Sequence, residues 1–239
     1  MESAVIHIRE ALAALVLPGK AEVYQKFFKT GTGGYGEGDI FLGISVPDQR
    51  AVAKAFYQEM SLDEISQLLS SEYHEYRLTA LFMLINKFQK AKIPLEKEAI
   101  AEFYLSHLLY INNWDLADSS SYPILGSYAY DYDRADLLRA LARSDQMWHK
   151  RIGVVGTLYH IRKHSFGLTK EFVTHNLKHP HDLMHKANGW MLREMGKKDP
   201  DELIRYLDQY CREMPRTCLR YAIEKLDEPL RQKYLKGKI

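Results

Sequence analysis

Apolar residues recur three and four positions apart along most of the chain, a spacing typical of amphipathic α-helices. A glycine-rich stretch, GTGGYGEGD at 31–39, interrupts the pattern and is predicted to be a loop. Ser61 followed by Glu64 predicts a capping box at a helix start. The helical spacing of apolar residues and the helix-start signals together predict one helix that begins at about residue 47. They also predict helices at 3–16, 20–29, 61–70, 73–90, 95–109, 113–130, 134–143, 147–164, 168–177, 182–197, 200–213, 216–225 and 228–236.

The chain also repeats on a longer scale. Four marker residues, Arg77, Asn113, Lys150 and Lys186, follow one another at intervals of 36, 37 and 36 residues. A period of that length, with about two helices in each unit, is typical of a solenoid of stacked helix pairs. No alternating strand pattern of convincing length is found. The sequence therefore predicts an all-α fold, a superhelical solenoid of antiparallel helix pairs, in one domain spanning 1–239.

Composition narrows the class of protein without identifying it. The 239 residues are 46% hydrophobic and 27% charged, which is ordinary for a soluble globular chain. No apolar run reaches the length of a membrane span, and the N-terminus is predicted to form an amphipathic helix and not a signal peptide. The two cysteines, Cys211 and Cys218, are too few for a disulfide framework, so a reduced, cytoplasmic setting is expected.

Charge is unevenly distributed along the chain. Residues 1–113 carry 11 Lys/Arg against 14 Asp/Glu, whereas residues 114–239 carry 22 against 17. The window 146–198 holds ten Lys/Arg, three Asp/Glu and seven of the ten histidines. This excess of positive charge favours a polyanionic partner such as nucleic acid.

The repeat places a set of unusual residues at related positions. Trp114 and Asp118 lie one and five residues after the marker Asn113. Arg151 lies one residue after Lys150, and Trp190 lies four after Lys186. Offsets of one, four and five share a helix face, so these four side chains are predicted to line one surface of the solenoid. Trp148 falls off that face and is assigned to the core or to a buried edge.

A carboxylate among indole rings suits the loss of a leaving group that is already cationic. An N-alkylated purine in DNA carries such a charge, and its glycosidic bond breaks through an oxocarbenium-like sugar. Asp118 would stabilise that sugar, while Trp114 and Trp190 would hold cationic groups by cation–π attraction. Arg151 would clamp a phosphate, with Lys150, Lys186 and Arg193 as further cations facing DNA.

Other motifs are weak. His160 and His164 have the spacing of a helical metal pair, but no third ligand follows at a suitable distance, so no metal is expected. The glycine-rich stretch lacks the GK[ST] ending of a phosphate-binding loop, and no serine–histidine arrangement supports a serine nucleophile. The expected reaction uses no cofactor.

Four segments, FLGISVP, NNWDLADSS, KRIGVVG and KANGWMLRE, occur in an order and spacing that resemble the AlkD family of DNA alkylation-repair glycosylases. The resemblance spans roughly residues 20–225 and implies a right-handed superhelix of HEAT-like repeats. It implies Asp118 as the catalytic carboxylate, Trp114 and Trp190 as aromatics that cradle the lesion nucleotide, and Arg151 as a phosphate contact. The glycine-rich segment is interpreted as insertion-like, and Phe27 stands where a polar-tipped aromatic is expected.

The sequence thus predicts a monomeric glycosylase in the bacterial cytoplasm or nucleoid. Its expected substrate is double-stranded DNA with cationic purines of the 3-methyladenine and 7-methylguanine type. One alternative is a HEAT-like protein that binds DNA structures without catalysis. The other is a helical-repeat adaptor that binds protein, whose groove would be apolar and not basic.

Overall fold

The computed structural model of the protein describes residues 4–237, and between them it has helices and no strand. The chain forms two compact units, Met1–Ser120 and Ser121–Ile239. Unit 1 contains α1 (Ala4–Ala13), α2 (Lys20–Phe27), α3 (Val46–Phe56), α4 (Leu62–Leu69), α5 (His74–Lys90), α6 (Pro94–Ser106), a 3-10 turn (Leu108–Tyr110) and α7 (Trp114–Ser120).

Unit 2 begins with a π-helical turn (Tyr122–Gly126), in which the Gly126 N–H donates to the Ser121 carbonyl five residues back, at 2.9 Å. The remaining elements are α8 (Ser127–Asp131), α9 (Ala135–Ala142), α10 (Met147–Arg162), α11 (Gly167–His175), α12 (Asp182–Lys198), α13 (Pro200–Tyr210), α14 (Arg216–Ala222) and α15 (Glu228–Leu235). The all-α class and the order of helices agree with the sequence prediction, although residue 3 of its first helix lies outside the described residues.

Local signals set many of these helix ends. Ser61 and Glu64 form the expected capping box: the Ser61 hydroxyl accepts from the Glu64 N–H at 3.2 Å, and the Glu64 carboxylate accepts from the Ser61 N–H at 2.8 Å. Asp199 caps α13 through the Glu202 N–H at 3.0 Å, with Pro200 at the first helical position. These bonds satisfy backbone donors that a helix start leaves without a partner.

One long helix is central in the core of each unit. In unit 1, α5 packs against α3, α4, α6 and α7 and is buried on most of its surface, including Leu78, Leu81 and Met83. In unit 2, α10 packs against α8, α9, α11 and α12, and α12 packs in turn on α13 and α14. A Cβ at Gly153 would lie 2.9 Å from the Leu138 carbonyl oxygen, so glycine permits the close approach of α10 to α9.

Candidate functional site

The NNWDLADSS segment presents two predicted site residues from α7 in unit 1. Asn113 is fully buried, and its side-chain oxygen accepts from the Trp114 N–H at 2.8 Å, so the helix begins at Trp114. Asp118 follows four residues later and therefore lies on the same helix face as Trp114. Both side chains are half-buried. The structure thus brings the predicted carboxylate and the first indole to one surface.

The Trp114 ring is supported by an aromatic stack that the sequence did not predict. Its indole lies on Phe28 with 5.2 Å between ring centroids and 11° between planes. Phe28 stacks in turn on Phe41 at 4.8 Å. Phe27 meets the indole edge-on at 5.9 Å and is 62% exposed. Rings held in this way restrict the indole to a narrow range of orientations.

These rings form part of the wall of a cavity of about 450 Å³ within unit 1. Its lining is mainly aromatic and aliphatic, with a few polar side chains among them: Val23, Tyr24, Phe27, Phe28, Phe41, Ile44, Val46, Gln49, His74, Glu75, Leu78, Trp114, Asp115 and Ser119. Asp118 is not among these residues, whereas Asp115 is. The WDLAD segment therefore directs one carboxylate to the cavity and places the other outside its lining.

Asp115 belongs to a buried ionic cluster centred on His74. The His74 Nε2 lies 2.8 Å from an Asp115 oxygen, and its Nδ1 lies 3.0 Å from an Asp39 oxygen. Because carboxylates only accept, both ring nitrogens donate, and His74 is an imidazolium. Burial opposes that charge, but the charge of Asp115 and hydrogen bonds to both carboxylates raise the pKa of His74 to about 9.

Asp39 anchors the glycine-rich segment to this cluster. Its carboxylate accepts from Arg77 Nη2 at 2.5 Å and from Asn113 Nδ2 at 2.8 Å, in addition to His74. Burial would raise the pKa of Asp39, yet these donors and the positive charge of Arg77 lower it. The predicted loop at 31–39 therefore ends on a buried carboxylate that ties it to α5 and to the residue just before α7.

Glu75 orders the segment that follows. Its buried carboxylate accepts from the backbone N–H groups of Leu42, Gly43 and Ile44 at 2.9, 2.8 and 3.2 Å. The FLGISVP segment is thus held against α5, and Phe41 is placed in the cavity wall. Sequence reasoning assigned no role to Glu75, His74 or Asp39. The signal that could have identified Asp39 is a run of turn glycines that ends at an acidic residue, before apolar residues.

In unit 2 the structure differs from the prediction at Arg151. The repeat register predicts a side chain on an open surface, but Arg151 is only 4% exposed and donates to the Leu183 carbonyl in the first turn of α12. The reason lies in the helix starts. Lys150 is the fourth residue of α10, whereas Asn113 lies just before α7, so the two markers are not at equivalent helix positions and equal offsets from them do not define one common face.

Trp190 lies on α12 and is half-buried. A Cβ at the neighbouring Gly189 would collide with the Cys218 carbonyl and the Tyr221 side chain, so this glycine allows α14 to approach α12 closely. Trp148, predicted to lie in the core or at a buried edge, is half-buried on α10.

The remaining predicted cations are also in unit 2, and two of them have carboxylate partners. Lys186 pairs with Asp182 at 2.9 Å, and Arg193 pairs with Glu224. Burial lowers the pKa of His179, and the positive charge of Lys150 lowers it further. Burial also lowers the pKa of His181, and the charges of Arg151 and Lys186 act in the same direction, so these two cations and Lys150 lie near the start of α12, together with the carboxylate of Asp182.

No group of three His, Cys, Asp or Glu side chains that could hold a metal ion occurs among the described residues. Over residues 4–237, no helix is both long and apolar enough to cross a bilayer.

Comparison with known proteins identifies the family. The family model described as DNA alkylation repair enzyme matches residues 8–226, and the chain belongs to that family. This confirms the resemblance seen in the four sequence segments and gives the protein a role in DNA alkylation repair, with DNA as its substrate.

The fold is similar to that of a solved structure described as a predicted DNA alkylation repair enzyme from Enterococcus faecalis. The two chains share 18% sequence identity with a TM-score of 0.68, over 88% of this chain and 96% of the other. No curated protein matches the sequence significantly.

Proposed function

We propose that this protein is a DNA glycosylase that hydrolyses the N-glycosidic bond of cationic alkylated purines in double-stranded DNA. The observation that carries the proposal is the surface of α7, where the Trp114 indole and the Asp118 carboxylate lie one turn apart and half-buried. Membership of the DNA alkylation repair enzyme family supplies the substrate class.

Asp118 supplies the electrostatic part of the reaction. As the bond from the sugar C1′ to the purine nitrogen breaks, its electron pair passes to the purine and neutralises the positive ring. The leaving base therefore needs no general acid. The sugar becomes an oxocarbenium-like cation that the Asp118 carboxylate stabilises, and water adds to C1′ and releases its proton. Burial raises the pKa of Tyr104, and the negative charge of Asp118 adds to that rise, so the Asp118 carboxylate lies near this buried hydroxyl.

Trp114 supplies a rigid aromatic surface. Since the indole is stacked on Phe28, its orientation is set before DNA arrives. A positively charged purine or its cationic sugar gains about 0.5–2 kcal/mol from an indole face, whereas a neutral purine does not gain this attraction. The ring therefore favours alkylated over unmodified nucleotides.

Unit 2 supplies DNA contacts. We assign Lys150, Lys186 and Arg193 to phosphates and Trp190 to the lesion strand. Since the Arg151 guanidinium is buried against the Leu183 carbonyl, it acts on DNA through its positive charge and by holding the first turn of α12. The carboxylate partners of Lys186 and Arg193 are exchanged for phosphate when DNA binds.

The test is incubation with methylated DNA, followed by chromatography of released free bases. The native protein should release 3-methyladenine or 7-methylguanine. Asp118→Asn should lower the rate about 10²–10³-fold, the usual cost of one preorganised electrostatic group. Asp145→Asn, at an exposed turn in unit 2, is the matched control and should excise at the native rate.

Two results would count against the proposal. Release by Asp118→Asn near the native rate would show that another group provides the charge. If the native protein released no base yet bound DNA, the alternative of a non-catalytic DNA-binding protein would stand.

A further inference from the structure

A serine and a histidine meet in unit 1, and neither lines the cavity beside Trp114. The Ser66 hydroxyl on α4 lies 2.7 Å from Nε2 of His107, the residue that follows α6. The two residues are 41 positions apart, so no local motif in the sequence indicates the pair. Both side chains are half-buried, which leaves part of each accessible to a small molecule.

Hydrogen bonds fix the proton position on the His107 ring. Its Nδ1 lies 2.8 Å from the Phe103 carbonyl oxygen, which can only accept, so Nδ1 carries the proton. The Ser106 hydroxyl donates to the same carbonyl at 2.8 Å, and its oxygen accepts from Nδ1 at 3.0 Å. In the neutral ring Nε2 is therefore the acceptor, and the Ser66 O–H donates to it.

The imidazole is also held by packing. It stacks on the Phe103 ring, with 4.0 Å between ring centroids and 24° between planes. A hydroxyl within hydrogen-bonding distance of a base, with the base oriented by a third group, is the arrangement that activates serine nucleophiles. Ser66, His107 and the Phe103 carbonyl supply these three parts.

A basic groove adjoins this pair. Its volume is about 670 Å³, within the range of roughly 300–1,000 Å³ typical of small-molecule sites. Three lysines and one carboxylate lie around an apolar floor, and the lining residues are Tyr57, Gln58, Leu62, Lys87, Lys90, Ala91, Lys92, Glu96, Ala99 and Ile100. The excess of positive charge favours an anionic ligand.

The groove and the pair share faces of two helices. Ser66 is four residues after Leu62 on α4, and Phe103 is four residues after Ala99 on α6, so each pair of residues shares a helix face. Four residues span about 6 Å along a helix. A small ester with its charged end among the lysines therefore places its carbonyl within reach of Ser66.

We propose that Ser66 is a nucleophile, with His107 as its base, that accepts the acyl group of an anionic carboxylic ester held in this groove. The Ser66 Oγ bonds to the carbonyl carbon as its proton passes to His107 Nε2, and the ester C–O bond breaks as the alcohol leaves with that proton. Water then attacks the acyl carbon and gives a proton to His107, which returns it to Ser66 Oγ as the carboxylic acid is released. This activity is independent of the glycosylase proposed at Asp118.

The first test is covalent labelling of the full chain with a fluorophosphonate. In that reaction the Ser66 Oγ bonds to phosphorus, fluoride leaves, and His107 accepts the proton. Peptide mass spectrometry should locate the label on Ser66. His107→Gln should slow labelling about 10²-fold, because it removes the general base. Ser70→Ala, an exposed change at the end of α4, is the matched control and should label at the native rate.

The second test compares two matched esters. 3-Butanoyloxy-4-nitrobenzoate carries a carboxylate, and 2-nitrophenyl butanoate lacks it. The native chain should hydrolyse both above the buffer rate, with a KM about threefold lower for the charged ester. Lys90→Glu should remove this difference in KM and leave kcat unchanged. Lys233→Glu, exposed on α15, is the control and should retain the difference.

A label found only on other serines, or no label, would overturn the proposal, as would labelling of His107→Gln at the native rate. Equal ester hydrolysis by Ser66→Ala and the native chain would also overturn it. If His107→Gln fails to fold, Ser66→Ala still decides, since it removes only a hydroxyl from a half-buried helix position. Equal KM values for the two esters in the native chain would overturn the assignment of an anionic substrate.

Discussion

The two units bury polar groups in different ways. Unit 1 contains 11 Lys/Arg and 16 Asp/Glu, and its central cluster is joined by ion pairs between side chains, as in Asp39–His74–Asp115. Unit 2 contains 22 Lys/Arg and 15 Asp/Glu, and several of its buried polar side chains donate to backbone carbonyls. Arg151 donates to Leu183, and Asn176 donates to Ala142 at 3.0 Å.

Ion pairs between side chains and side-chain bonds to the backbone differ in what they position and in how they respond to pH. Ion pairs between side chains position aromatic rings and a loop around a cavity, but their strength depends on protonation. Donors to backbone carbonyls join helices and do not titrate near neutral pH. The unit with the cavity is therefore expected to be the unit whose stability responds to pH and to charge removal.

The largest expected effect comes from removing Asp39. Asp39→Ala would leave His74, Arg77 and Asn113 as buried donors without their acceptor. Breaking a buried ion pair in this way typically costs about 3–5 kcal/mol of unfolding free energy. Asp136→Ala removes a carboxylate from an exposed pair with Arg134 and should leave denaturant unfolding unchanged. Equal curves for the two variants would mean that the cluster does not stabilise unit 1.

The pH dependence of stability should follow His74. Its pKa is raised to about 9, so its contribution is fully present below its unfolded value and is lost as pH rises through about 9. The shift corresponds to roughly 3 kcal/mol. The pKa of Asp39 is lowered, so its contribution is present above the unfolded value and is lost as pH falls.

Thermal unfolding measured across pH checks this expectation. His74→Gln should flatten the decline on the alkaline side, because it removes the titrating group. An unchanged alkaline decline in that variant would assign it to other residues.

A smaller effect is expected in unit 2. Arg151→Ala leaves the Leu183 carbonyl in the first turn of α12 without this donor, and it should lower the unfolding free energy by about 2 kcal/mol. The loss should not vary with pH near neutrality. Lys150→Ala, one residue earlier and half-buried, is the matched control for chemical denaturation and should change stability little. If Arg151→Ala were as stable as Lys150→Ala, the buried guanidinium would not support α12.

The smallest expected effects concern DNA binding by the basic unit. Log affinity should fall linearly with log salt, and Lys186→Ala or Arg193→Ala should each reduce the slope by about one. The change is modest because each cation already has a carboxylate partner. Lys233→Ala, exposed on α15, should leave the slope unchanged in fluorescence anisotropy titrations. A uniform slope across all three variants would place the phosphate contacts elsewhere.

The helices were predictable because their signals are local. Three kinds of signal act within about one helical turn: the spacing of apolar residues, capping pairs such as Ser61–Glu64, and the positions of prolines. The observed helix bounds follow these signals closely. Trp114 and Asp118 were also predictable as neighbours, since residues separated by four positions on one helix lie on the same face. Their roles in catalysis and DNA contact remain proposals.

The sequence by itself determined the helical class, the helix order and the excess of positive charge in the second half, because these depend on residue type and short spacing. Only the tertiary structure decided that Asp39, His74 and Asp115 meet. His74 is 35 residues from Asp39 and 41 from Asp115, and helix packing brings them together in a way that the spacing of the sequence repeat does not predict. Packing also decided the depth of each side chain. A repeat register gives an approximate direction, but Asn113 lies before α7 whereas Lys150 lies within α10, and Arg151 is buried where its offset predicts an open surface.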